Sequence, residues 1–405
     1  MLKGYAMPGP LDGFRILDLT SNVSGPLATM ILGDQGAEVI KVETLDGGDH
    51  TRAGAGRRGG LAVSFLNNNR NKRSICIDLK SPEGIALLKR LAAGADALVQ
   101  NFRPGVAERI GIGEAAIRTV APNIVYVSIS GFGEKGPYAQ KPVYDPIIQA
   151  YSGLATVQAG SDEARPRMLR TILPDKLTAI TASQAITAGL LARERSGEGQ
   201  HVRLSMLDAV VAFLWSSDMS GQTFVGDEPA KQEAASAIDL VFETSDGYIT
   251  AAVQTNQQWL ALTCALERPE WLEDDRFKTP ASRQRNVDAR LQLTQDVLIG
   301  APSSYWLDRL TEAGVPCAPV LTRTEVIRAP QVVAMETIVE YDHPAAGRLR
   351  QTRPAARFSR TPAGIRRGAP TLGQDTGAIL AELGYSETEI VALRAARVVN
   401  AGEVA

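Results

Sequence analysis

FRILDLTSNVSGPLATMILGDQGAEVIKVE, residues 14–43, decides the fold. FRILDLT reads as a buried strand, SNVSGP as a turn, GPLATMILGDQGA as a helix with regular apolar spacing, and AEVIKVE as a second strand ending at Glu43. Strand, helix and strand in that order make a βαβ unit.

The alternation continues outward. RSICIDLK, residues 73–80, predicts a strand, and Ser81 and Pro82 give N-cap and first-turn signals for the helix SPEGIALLKRLAAGA. DALVQNF predicts the next strand; the short helix GEAAIRTVA then leads into NIVYVSIS, residues 123–130. This spacing implies an α/β fold with a doubly wound, mostly parallel, Rossmann-like sheet, whose ligands bind beyond the carboxyl ends of the strands. Function is therefore expected in the loops SNVSGP, ETLDGGDHTR, LKSPEG, NFRPG and GFGEKGPYAQKPVYDP.

Further along, a long helix is expected from near Asp175, and RERSGEGQHVRLSMLDAVVAFLWS reads as a turn, a short strand and a helix. Residues 218–236 turn polar and lose periodicity, as a linker does. VFETSDGYITAAVQTNQQWLALTCAL predicts a hairpin with a D-G turn and then a helix, a pattern that opens a second, smaller α+β domain. The tail from Ala329 is rich in arginine and proline and shows one helix, DTGAILAELG.

With 405 residues, the chain is long enough for two domains. Its 43 basic and 45 acidic residues nearly cancel, so no chain-wide field attracts nucleic acid or an anionic membrane. Three scattered cysteines, Cys76, Cys264 and Cys317, fit neither a disulfide framework nor a zinc site and suggest a reducing cytoplasm. MLKGYAMPGPLDGF has no apolar h-region, and no run approaches bilayer length, so neither secretion nor membrane insertion is expected.

Several motifs compete as sites. GFGEKG, residues 131–136, matches G-x-G-x-x-G after a strand, but a dinucleotide loop needs a helix at the third glycine, which Pro142 and Pro146 oppose. Arg70, Lys72 and Arg73, with Arg103 and Arg109, read either as solvated surface charge or as a basic rim for phosphates. His50, His201 and His343 sit in no nucleophile motif and are read as structural. Asp175 has two readings that the residues leave open. It suits an N-cap, and a carboxylate kept ionised by a helix N-terminus can also act as a nucleophile.

Taken together, PLDGFRILDLT, GPLATMILGDQGAEVIKVE, GGDHTR, NKRSICIDLKSPEG, NFRPGVAERIG, SISGFGEKGPY, VYDPIIQAYSG, GEGQHVRLSMLDA, DDRFKTPASRQRN, AGVPCAPV and APTLGQDTGAIL resemble the class III CoA-transferases. That family includes the formyl-CoA and carnitine CoA-transferases and is related to the α-methylacyl-CoA racemases. The resemblance covers nearly the whole chain. It implies a CoA-transferase that uses acyl-CoA and small carboxylic acids, needs no metal, and forms an interlocked homodimer. Asp175, in LPDKLTA, falls on the family's catalytic aspartate. CoA contacts map to Val23, Ser24, Thr44, Ile77, Asp78, Leu79, Lys80, Asn101, Phe102, Arg103, Arg109, Pro142, Val143, Tyr144 and Asp145. The implied domains are a large CoA-binding domain from 1–217, the 218–236 linker, a small domain at 237–328 and a return segment, 329–405, completing the large one.

Three positions depart from the family. Thr44 stands where formyl-CoA transferase has an arginine, and AVQTNQQW replaces a glycine run in the small domain, bringing Gln254, Asn256 and Gln257 into question as site residues. Tyr144-Asp145 replaces the racemases' His-Asp, and tyrosine is a poor base at neutral pH, which makes a racemase or epimerase the second reading. A CoA-binding protein without transfer activity is the non-enzymatic alternative. The acids used are left open, since family members accept oxalate, carnitine and dicarboxylates, with a succinyl-type donor as one guess.

Overall fold

A computed structural model describes residues 9–229 and 240–400. The described chain separates into two compact units. One takes in the residues up to Gln158, Arg165 to 229 and Glu336 to 400; the other takes in Ala159–Ala164 and residues 240 to Met335. Part of the expected 218–236 linker, 230–236, lies outside the described residues, as do residues 1–8 and 401–405.

The larger unit opens as expected with β1 (Arg15–Asp18), α1 (Ser24–Asp34) and β2 (Glu38–Glu43). It continues with β3 (Lys72–Ile77), α2 (Pro82–Ala92), β4 (Ala97–Gln100), β5 (Val125–Ser130), α3 (Asp145–Tyr151), α4 (Leu173–Ser196), β6 (His201–Ser205) and α5 (Met206–Trp215). Ser81 caps α2 as the sequence suggests, its hydroxyl accepting from the Gly84 N–H at 3.0 Å. Gly197, at φ 76°, ends α4 in the left-handed conformation that glycine adopts without strain.

The smaller unit builds its hairpin from β7 (Val241–Glu243) and β8 (Tyr248–Ala251), antiparallel across the Asp246-Gly247 turn. α6 (Asn256–Ala265) follows, with a capping box between Thr255 and Gln258, and β9 (Cys317–Pro319) pairs with β8. Phe242, Ile249, Trp259, Trp271, Phe277 and Trp306 form its core.

The tail holds more than its one expected helix. A short helix at Pro330–Ala334 comes first, followed by a hairpin of β10 (Ile338–His343) and β11 (Gly347–Thr352), then α7 (Thr376–Glu382), α8 (Glu387–Ala395) and β12 (Val399–Asn400). β12 joins the main sheet antiparallel to β3. The seven-stranded sheet therefore runs β12-β3-β2-β1-β4-β5-β6, parallel except at β12. Without its added edge this is the 3-2-1-4-5-6 order of dinucleotide-binding sheets, whose crevice opens between β1 and β4. Among the described residues, no helix is long and apolar enough to cross a membrane.

One face of the sheet carries α1 and α4 side by side. Ala28, Leu32, Ala179, Ala182 and Ile186 share a single buried cluster between them and the strands. The alanines at 28, 179 and 182 let the two helices pack closely. Their first turns consequently lie together at the carboxyl end of the sheet.

Beneath the first turn of α1 lies a buried charge cluster that overturns the solvated and phosphate-rim readings of residues 70–73. Lys72 is fully buried and donates to Asp18 Oδ2, the Pro26 carbonyl and Asn69 Oδ1, each at 2.8 Å. Lys41, also buried, lies 3.8 Å from Asp18 and 3.0 Å from Asp49. Arg70 makes a bidentate pair with Asp34, and Arg73 is held by Glu38 and Glu382. Arg70, Lys72 and Arg73 are each already held by a carboxylate of the protein. Burial disfavours the Asp18 charge, but the Lys41 and Lys72 ammoniums outweigh it and hold the carboxyl below its usual range. Burial also pulls Lys72 down to about 8.

Because removing one partner strands a buried charge, Asp18→Asn should destabilise the fold by about 3–5 kcal/mol. Urea unfolding at neutral pH checks this; a midpoint equal to the parent's would show that the cluster is not a structural keystone.

Candidate active site

The residues named from the sequence stand where the strands end. Val23 and Ser24 follow β1, Thr44 follows β2, Ile77–Lys80 close β3, Asn101–Arg103 follow β4, and Pro142–Tyr144 lead from β5 into α3, which Asp145 opens. Asp175 sits in the first turn of α4. Asn101 bridges the switch-point crevice. Its Oδ1 accepts from the Ser21 N–H at 3.0 Å and its Nδ2 donates to the Ser21 carbonyl at 2.9 Å, so its side chain locks two loops together. Phe102 is fixed through its N–H, which donates to Gln100 Oε1 at 2.7 Å. Ile77 is sealed in the core and exposes no surface to a ligand. Thr44, Lys80, Arg103 and Arg109 are exposed.

Asp175 is not the N-cap that its residue type suggests. α4 starts two residues earlier, with Pro174 in its first turn and Ile172 at the N-cap, and no side chain caps it. The carboxylate instead faces α1: Oδ1 accepts from the Ser24 hydroxyl at 2.5 Å. Half-buried, it is neither walled off nor spent on its own backbone.

Behind it stands a second carboxylate. Asp145 is buried and takes the Asp175 N–H on Oδ2 at 3.2 Å, while its Oδ1 accepts from Gln149 Nε2 at 2.6 Å. Gln149 is held in turn by the Leu169 N–H, which donates to its Oε1 at 2.8 Å. Burial pushes the Asp175 carboxyl above its usual range and the Asp145 charge adds to this, against hydrogen bonding from Ser24. The helix N-terminus alone would have favoured the anion, but desolvation wins here. Sequence reasoning placed Ser24 and Asp145 against CoA and missed their contacts with Asp175. A Gln four residues after an Asp on a helix is a local signal for the Asp145–Gln149 pair.

Other candidates recede. No helix follows Gly136, because α3 begins only at Asp145, and Gly131 is needed for close packing: a Cβ there would lie 2.1 Å from Val143 Cγ1. The Gly133 N–H is already taken by Ser130 Oγ at 3.1 Å, which removes one oxyanion donor from that loop. His343 Nε2 lies 2.8 Å from the Ala369 carbonyl, and its Nδ1 accepts from the Ala345 and Ala346 N–H groups, a structural role. His201 Nε2 bonds Ser128 Oγ at 2.8 Å. Burial pushes the Cys76 thiol up to about 12, which rules out an activated thiolate. In the smaller unit, Asn256 accepts from Arg283, and the Gln254 N–H donates to Gln258 Oε1.

Fold and site together define an α/β protein that presents a half-buried carboxylate at the ligand-binding edge of its sheet. The chain belongs to CoA-transferase family III, whose model matches residues 11–376. It is 36% identical over 402 residues to the succinyl-CoA:glutarate CoA-transferase of Homo sapiens, covering 97% of this chain and 91% of that protein. With the formyl-CoA:oxalate CoA-transferase of Shigella sonnei it shares 31% identity over 414 residues, covering 96% and 99%. A solved structure of a CaiB/BaiF family protein from Brucella suis matches at a TM-score of 0.80 and 30% identity, over 93% of this chain and 100% of that one. The resemblance read from the motifs holds, and the protein is a CoA-transferase enzyme.

A carboxyl with a raised native pKa binds its proton more tightly folded than unfolded. Its stabilising effect is therefore complete below the unfolded pKa and is lost as pH rises through the native one. Asp175→Asn, which cannot ionise, should thus gain stability over the parent as pH rises from about 4 towards 7. Thermal melts of both proteins across that range measure it, and a difference that shrinks with rising pH would contradict a desolvated carboxylate.

Proposed function

We propose that the protein moves CoA from an acyl-CoA thioester to a free carboxylic acid, with Asp175 as the covalent relay. The observation that carries this reading is a carboxylate at the carboxyl edge of the sheet that is desolvated yet reachable and gripped on Oδ1 by the Ser24 hydroxyl.

The chemistry balances without ATP or water. An Asp175 oxygen attacks the thioester carbonyl carbon, a C–O bond forms, the C–S bond breaks, and CoA leaves as thiolate. The thiolate then attacks Cγ of Asp175, forming aspartyl-CoA and releasing the donor acid as carboxylate. The acceptor carboxylate attacks that same Cγ, regenerating a mixed anhydride and the thiolate. Attack of the thiolate on the acceptor's carbonyl yields the new thioester and restores Asp175. Each attack on Cγ drives negative charge onto an aspartyl oxygen. The Ser24 hydroxyl, 2.5 Å from Oδ1, is placed to donate to it.

Desolvation suits this work, since a carboxylate stripped of water is the better nucleophile and the anhydride is kept from hydrolysis. Exposed Lys80, Arg103 and Arg109 are the cations we assign to CoA phosphates. The named relatives act on succinyl-CoA with glutarate and on formyl-CoA with oxalate, so short dicarboxylates are the substrate class we favour. Tyr144 stands exposed where a racemase would need its histidine, and a phenol is a poor general base for that role. We further propose a cytoplasmic, interlocked homodimer divided at the 218–236 linker. Ile180 and Leu191 on α4, with Phe213 and Trp215 on α5, are large apolar side chains left exposed in one chain.

Asp175→Ala should abolish transfer while CoA binding persists, and Ser24→Ala should lower kcat by about 10²-fold, the cost of one oxyanion donor. Hydroxylamine added during turnover should trap Asp175 as its hydroxamate, detectable by peptide mass. Substantial turnover in the Asp175→Ala protein would end the relay mechanism. Light scattering should give twice the chain mass; a stable monomer would remove the interlocked dimer.

A further inference from the structure

If CoA lies along the carboxyl ends of the strands as proposed above, its adenosine end needs a cation near the end of β2. Thr44, at that place, has none to offer. In sheets of this strand order the residue after the second strand meets the adenosine ribose, and a nearby arginine takes a ribose phosphate when the ligand has one. CoA carries such a phosphate on its ribose 3′-oxygen. The Thr44 hydroxyl is turned to the Asp46 carbonyl at 3.5 Å.

The C-terminal segment brings a cation to this spot. β12 sets Val399 opposite Ile77, and the Asp78 N–H donates to the Val398 carbonyl at 2.8 Å. Arg397 therefore emerges just beyond the carboxyl end of β3. Its backbone is left-handed, at φ 55°, where the chain turns from α8 back towards the sheet. The guanidinium lies 3.6 Å from the Asp46 carboxylate in the loop after β2, with side chains 78% and 91% exposed. Arg397 thus spans the two loops, 44–46 and 77–80, that flank the expected adenosine site. A long, exposed ion pair of this kind adds little stability and is easily exchanged for a better anion. Position 397 also lies beyond residues 11–376, so the family match assigns it no role.

We propose that Arg397 binds the ribose 3′-phosphate of CoA, supplying from the C-terminal strand the charge that position 44 lacks. On binding, the guanidinium exchanges the single Asp46 oxygen for a phosphate that its planar fork can grip through two N–H groups. The inference rests on the CoA reading above, and its test separates the two.

Titration calorimetry on the full chain would use CoA and 3′-dephospho-CoA as probes. Arg397→Asn removes the charge yet tolerates the left-handed backbone, and Arg397→Lys keeps the charge without the fork. The parent should prefer CoA by roughly tenfold, the worth of a charge-assisted contact. Arg397→Asn should erase that preference and leave dephospho-CoA affinity unchanged, with Arg397→Lys in between. An Asn variant that keeps the preference, or weakens both ligands alike, overturns the role of Arg397, as does a parent without preference. A parent that binds neither ligand overturns the CoA reading itself, and the arginine's role with it.

Discussion

The Asp18 carboxylate, at the end of β1 and out of contact with water, is the constraint on which the rest of the site hangs. It accepts from the Thr20 N–H at 2.9 Å, the Thr20 hydroxyl at 2.5 Å, the Thr29 hydroxyl at 2.8 Å and the Lys72 ammonium at 2.8 Å. Those donors come from the turn after β1, the second turn of α1 and the first residue of β3. One anion thereby ties the entry of α1 to β1 and β3. Lys41 adds its bond to the Thr20 carbonyl at 2.8 Å and ties in Asp49, whose Oδ1 accepts from the Asn22 N–H. Gly25 completes the arrangement, because a Cβ there would lie 2.3 Å from Thr20 Cβ. Ser24 meets Asp175 because this turn has no other way to run.

The site above this base is built against stability. Asp145 and Asp175 are neighbouring carboxylates, one buried and one half-buried, and among the described residues no ion pair puts a cation on either. Uncompensated acids of this kind cost free energy in a fold and are characteristic of functional sites, where a perturbed carboxyl serves the chemistry. Other buried charges of the same unit are paired: Arg52 makes a bidentate pair with Glu43, and Arg70 does the same with Asp34. The contrast within one unit marks the acid pair as a place where the usual pairing is withheld.

Local patterns were legible and distant pairings were not. The βαβ alternation, the Ser81 cap and the Asp246-Gly247 hairpin each follow from a few adjacent residues, and each appears in the structure. Arg70, Lys72 and Arg73 look solvated in sequence because what decides their fate lies far along the chain, at Asp34, Asp18 and Glu382. The tail concealed β12 for a related reason: a two-residue strand has no periodicity to detect, and only its pairing with β3 defines it. Asp175 misled in the opposite sense. Its residue type fits a cap, but Pro174 already suits the first turn, and the carboxylate is freed to face Ser24.

The strand order is that of dinucleotide-binding sheets, yet the first crossover has lost the feature by which such sheets bind phosphate. There the N-terminus of the helix after β1 faces the pyrophosphate across a glycine-rich turn. Here the turn reads SNVSGP, and the anion at the head of α1 is the protein's own Asp175, bonded to Ser24. One helix terminus cannot serve a carboxylate and a pyrophosphate at once. On the proposed reading the phosphates must then be met by side-chain cations at other strand ends, and the polar edge of the sheet is divided: the β1 end holds the reacting carboxylate, and the outer ends hold the nucleotide. The long pantetheine arm of CoA is what makes such a separation workable, since its thioester reacts far from its phosphates. A dinucleotide, whose reactive ring is joined directly to its phosphates through a ribose, has no equivalent arm.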